Sequence, residues 1–404
     1  MSKYTTNRAA AGWLALFAAG ALQASPRIPV RDDEVLTTVR SSLTPSEAEA
    51  VRQLRQNKMG ATRDQLPAAL SLARNLIRLA RAEADPRYLS QARAVLAPWW
   101  NQPDAPVETI LLRATIRQSQ HDFDGALTDL AEVIRRDPQN GQAWLTRAVV
   151  LTVRGAYAPA REACLQAMRF SDPLAATTAT AALGGMTGSA EKAYRLLERA
   201  LADADKAREN LNDDQRAVRG WAMITLGELA EQCGLPVEAE RHYTAARALE
   251  PRDPTLLAVW ANLLLHLRRP AEVAQALGEF EAIDALLLRL AEAEQQWQTI
   301  EPGRSTDFDR HVGMLRERFA AARLRGDELH LREEARFELR IERNATRALG
   351  LARRNWETQK ERADAQVLLE AAEATGDQEI VAAMRNIVTT GTTRAAANAK
   401  DSQP

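Results

Sequence analysis

Residues 107–140 read VETILLRATIRQSQHDFDGALTDLAEVIRRDPQN, and this stretch decides the fold. Ile110, Ala114 and Arg117 stand at helical spacing. His121-Asp122-Phe123-Asp124 makes a turn, Ala126, Leu130 and Val133 open a second helical run, and Asp137-Pro138 stops it. The same pattern extends in both directions. Ala80, Ala114 and Ala148 lie 34 residues apart, as do Ala92, Ala126 and Ala160, and Leu96, Leu130 and Cys164. Three columns in one register are an internal repeat, and this period is that of stacked helix pairs.

The columns have a physical reason. Two antiparallel helices cross closely only where side chains are small. Ala80, Ala114, Ala148 and Gly227 are the small residues of the first helix of a unit; Ala92, Ala126, Ala160 and Ala239 are those of the second. The larger Leu96, Leu130 and Tyr243 are expected to pack toward the next unit. Composition agrees: 46% hydrophobic, 5% aromatic, few glycines and prolines, and an abundance of Ala, Leu, Arg and Glu, all good helix formers. The 404 residues suffice for a sizeable core, and a repeat array needs each unit to pack only on its neighbours.

Leu226-Gly227, Ala239, Tyr243, Ala246 and Pro251 match one unit of a known pattern, and Trp144, Ala148, Ala160 and Ala167 match another. On these residues the chain resembles the tetratricopeptide repeat proteins. The match is good over about 66–283 and loose over 284–388. The resemblance implies an all-α fold, a right-handed α-solenoid of stacked antiparallel helix pairs forming a tetratricopeptide repeat superhelix. It also implies a concave groove lined by first helices that holds a protein or peptide. Carried over residue by residue, the groove positions are Leu111, Thr115, Gln118 and Ser119, then Leu145, Val149 and Thr152, then Glu228 and Asn262. The family's carboxylate clamp needs Lys and Asn on successive first helices. Leu111, Thr115 and Thr146 stand there instead, so capture of a C-terminal carboxylate is not expected.

Outside the ladder, Lys3 and Arg8, the apolar run Ala9–Leu22 and the small residues before Pro26 have the three regions of a secretory signal peptide. Cleavage is expected after Ala24, with Ala21 as the alternative and an uncleaved anchor as a second. Residues 25–44 read as an extended arm and 45–283 as tetratricopeptide-like repeats. A helix is expected from Thr44-Pro45-Ser46-Glu47 to about Asn57. Residues 284–388 read as degenerate repeats and capping helices, and 389–404 as a disordered tail. The expected location is outside the cytoplasm, in the periplasm. Past the signal no stretch is long and apolar enough to span a membrane, although the chain could dock on a membrane protein.

Catalytic signals are missing. His121, His242, His266, His311 and His330 lack metal-ligand spacing, and no phosphate loop or nucleophile elbow occurs. No metal, cofactor or catalytic residue is therefore expected. Basic and acidic side chains number 53 and 54, which gives no electrostatic case for nucleic acid. The Arg-rich helices within 316–354 are interleaved with Glu and read as solvated faces laced with ion pairs. Trp99 and Trp100 read as packing residues against the next unit, and Cys164 and Cys233 as separate thiols. The expected function is a non-catalytic scaffold holding a protein or peptide. The alternatives are a periplasmic accessory subunit of a membrane complex and a hydrolase with its site in 284–388.

Overall fold

The computed structural model describes residues 65–206, 211–303, 306–326 and 330–389, together with Thr44 and Glu49. The expected signal, arm and first helix fall outside these residues, apart from Thr44 and Glu49. So does the expected tail, apart from Thr389. Eighteen α-helices and no strand occur among the described residues.

The first twelve helices form six antiparallel pairs. These are α1 (Leu66–Glu83) with α2 (Arg87–Trp100), α3 (Val107–Ser119) with α4 (Phe123–Arg136), and α5 (Gly141–Val153) with α6 (Tyr157–Phe170). They continue with α7 (Pro173–Met186) and α8 (Ala190–Lys206), α9 (Asp213–Gln232) and α10 (Pro236–Leu249), and α11 (Pro254–His266) and the short α12 (Pro270–Leu277). The chain continues through α13 (Asp284–Ile300), α14 (Phe308–Leu324), α15 (Leu331–Arg340), α16 (Ala345–Thr358), α17 (Arg362–Thr375) and α18 (Gln378–Thr389).

Local chemistry sets the boundaries. Asp172 and Asp253 each cap a helix by accepting the backbone N–H three residues on, with proline at the first helical position. Asn212 and Gln215 form a reciprocal capping box that starts α9. The turn inside a pair needs one left-handed residue. Gly155 supplies it with φ 73°, and His121 fills the same place one period earlier with φ 60°, which an L side chain tolerates less well.

The small-residue columns are buried. Ala114, Ala126, Ala148, Ala160 and Ala239 are 0% exposed. Tyr243 of the larger column also packs within its own pair. Its ring lies over Gly227 of its own pair, where a Cβ would sit 2.2 Å from Cε1, and its hydroxyl donates to Glu231 at 2.6 Å. Trp99 and Trp100 are buried, and the Trp100 carbonyl accepts from Arg113 of the following unit. Cys164 and Cys233 are free, buried thiols.

The C-terminal part departs further from the sequence reading. The Arg- and Glu-rich α15 is not a solvated face. Glu333, Glu334, Arg336 and Glu338 are all buried, and their partners lie largely on other helices. Arg336 pairs with Glu292 of α13, and Arg340 with Glu370 of α17. Leu331, Ala335, Leu351, Leu368 and Met384 form a core for α15–α18 that is separate from the cores of the repeats.

Candidate functional site

The first helices of successive pairs pack on one another, from α1 through α3, α5, α7 and α9 to α11, while each second helix meets the first helix of the following pair. That arrangement places the first helices on the inner side of the stack. The coil is tight, because α1 also touches α11. The charge of Asp253 acts on Arg81, and those of Asp213 and Glu250 interact with Arg78 across that approach.

Most of the groove positions read from sequence are partly used up by the fold. Leu145 belongs to the core, and Leu111 and Val149 pack against core clusters. The hydroxyls of Thr115, Ser119 and Thr152 donate to carbonyls of their own helices, those of Leu111, Thr115 and Ala148, at 3.1, 3.0 and 2.8 Å. The Asn262 carbonyl oxygen accepts from Nε of buried Arg289 at 3.2 Å. Gln118 and Glu228 have no side-chain hydrogen bond to a described residue, and they are the polar groups best placed to meet something else.

Glu228 has an unusual setting. Its side chain is exposed, and the charges of Glu361, Glu231, Arg332 and Arg362 act on it. Loss of bulk water pushes its carboxyl up to about 8; Glu361 and Glu231 add to the shift, and Arg332 and Arg362 oppose it. The folded chain therefore holds this proton above the ordinary carboxylate range. Between that range and about 8 the folded chain keeps a proton that the unfolded chain has released. Stability is thus full at acid pH and is lost as pH rises through the folded value. The urea midpoint of the protein should fall from about pH 5 to about pH 8, and Glu228→Gln should flatten the fall. An equally steep fall in the variant would refute this reading.

Three of the groups acting on Glu228 come from far along the chain. The connection between α16 and α17 turns inward and reaches the pair turns of the second and third units. The Lys360 N–H donates to the Val153 carbonyl at 2.7 Å. Gln359 is extended (φ −120°, ψ 130°), and its Nε2 lies 2.9 Å from the His121 ring nitrogens. Burial, with Arg332 and His330 nearby, lowers the His121 pKa against the pull of Glu361 and Glu333, which suits a neutral ring accepting from the amide. His121 also stacks on Phe123, with ring centroids 5.6 Å apart. Arg362 acts electrostatically on both Glu228 and Glu231.

Gln359, Lys360, Glu361 and Arg362 carry no sequence signal. They stand more than two hundred residues from His121, in a short polar link between two ordinary helices. Among the described residues no group of three or more His, Cys, Asp or Glu is arranged to hold a metal ion, and no helix is long and apolar enough to cross a membrane.

The fold defines a class: a helical-repeat solenoid of stacked antiparallel pairs. No family model and no curated protein matches the chain. Solved structures with similar folds include a tetratricopeptide repeat protein from Parabacteroides merdae, at 15% identity and TM-score 0.36, covering 74% of this chain and 98% of that one. The human IFIT1 dimer with m7Gppp-AAAA aligns at 11% identity and TM-score 0.46, over 87% of this chain and 97% of that one. The P58(IPK) tetratricopeptide domain aligns at 17% identity and TM-score 0.22, over 84% and 99%. These superpositions are loose, and the capped RNA belongs to IFIT1.

Proposed function

We propose that this protein is a non-catalytic scaffold that holds an extended segment of another protein along the inner face formed by α3, α5 and α9. The observation that supports it is the backbone bond from Lys360 to Val153. The carbonyl of Val153, at the end of a first helix, accepts the N–H of an extended segment there, while those of Val150, Leu151 and Thr152 accept from their own turn. Gln118, in the turn of His121, and Glu228, within electrostatic reach of Glu361, would read the side chains of the segment. We read the first 24 residues as an export signal, so the partner would be met in the periplasm, either free or as part of a membrane complex.

Photo-crosslinkers placed at Gln118 and Thr152 should capture segments of one and the same protein. Crosslinkers on the exposed Leu165 of α6 and Leu196 of α8 should not capture it. Thr152→Arg combined with Gln118→Ala should reduce capture at least tenfold. Capture from the outer helices alone, or capture unaffected by the paired variant, would dismiss the inner face.

A further inference from the structure

The site proposed for a partner is already occupied by this chain. Helices α15–α18 share an apolar cluster of their own, and α15 joins the preceding array through α13 and through Phe337, which lies in the array's core against Phe319 of α14. Among the described residues, the hydrogen bonds linking residues 345–389 to the first four helix pairs are those of Gln359 with His121 and of Lys360 with Val153. Close packing accompanies them, because a Cβ added to Gly155 would lie 2.9 Å from Lys360 Cδ. The contact is polar, and it sets Glu361 near Glu228 while Arg362 offsets that repulsion. A polar contact of this kind, remote from the apolar clusters, can open locally without unfolding the helices that carry it.

We propose that the Gln359–Glu361 corner is an intramolecular latch: it closes the inner face by taking the backbone position that an extended partner segment would take. The closed state is the one described here. Partner binding then requires the corner to leave Val153 and His121, and the C-terminal helices regulate access to the face. The competition with a partner rests on the proposed scaffold role; the opening of the latch does not.

Native-state hydrogen exchange on the unaltered protein tests the latch directly. The Lys360 amide should exchange at least a hundredfold faster than the amides of Leu351 and Leu368, which lie in the helices on either side of the corner. Exchange of all three at one rate would overturn the latch. A second test uses spin labels at Ala158→Cys and Ala363→Cys, both exposed and on opposite sides of the contact. The parent protein should give one short distance. Gln359→Ala with Lys360→Pro, which removes both donors, should raise a longer-distance population at least fivefold without loss of helix content. An unchanged distance would overturn the latch. Opening with no gain in crosslinked partner would leave the latch standing and sink the scaffold reading. Partner capture with no opening would do the reverse.

Discussion

Gly227→Ala should destabilise the protein by about 3 kcal/mol, at the upper end of the overpacking range, despite exchanging glycine for the better helix former. The added Cβ would lie 2.2 Å from Tyr243 Cε1 and 2.6 Å from Cδ1 and Cζ. The ring has little freedom to retreat. It is 0% exposed, and its hydroxyl is held by Glu231 at 2.6 Å. Either α9 and α10 must move apart or the tyrosine must leave its rotamer. Tyr243→Leu alone should also destabilise, by opening a cavity. Together the two changes should cost clearly less than their sum, because each removes part of the clash or fills part of the space that the other creates. Urea unfolding of the four proteins checks this, and strict additivity would show that Gly227 and Tyr243 are not coupled as their geometry requires.

The second large effect is expected at the buried pair that ties α15 to α13. Arg336 Nε and Nη2 donate to the two oxygens of Glu292 at 2.6 and 2.5 Å, and the side chains are 8% and 7% exposed. Burial alone would push the Glu292 carboxyl up; Arg336, assisted by Arg340 and Arg289, holds it below the ordinary carboxylate range. Glu292→Ala would leave Arg336 charged in the interior beside Arg289, which already has a pKa lowered to about 9 by burial. Breaking a buried pair in this way costs about 3–5 kcal/mol. Replacing both members, as Glu292→Leu with Arg336→Met, should restore most of the loss, because no charge then remains to be desolvated. Thermal unfolding of the single and double variants decides it; a double variant no better than the singles would mean that packing, not charge, governs the site. The folded carboxyl has a lowered pKa, so its contribution is present above the ordinary carboxylate range and is lost as pH falls through the folded value.

These two sites differ in how visible they are in sequence. Gly227 stands in a column with Ala114 and Ala148, and the requirement for a small residue at a helix crossing can be read from that column. The close approach of Tyr243 to Gly227 is not legible in the same way, because residue size in a column says that something large is packed, not every neighbour that receives it. Glu292 and Arg336 lie 44 residues apart in helices without a clean period, and nothing local marks either residue as buried. Their alternation with other charges gives α15 the signature of an exposed helix. It is enclosed because partners on α13, α16 and α17 satisfy those charges.

The inner face shows the same division. Periodicity identifies which residues of α3, α5 and α9 point away from the pair crossings, but it does not tell which hydroxyls bond back to their own helices.

The sequence by itself determined the helix pairs, their turns and the small residues at their crossings. Those features depend on contacts within one period or between neighbouring periods, and a repeat writes such contacts into its spacing. Only the tertiary structure decided what the inner face meets. The curvature of the stack is a sum of small rotations between units, and it brings the α16–α17 corner to His121 and Val153 from more than two hundred residues away. No spacing in the chain encodes that encounter.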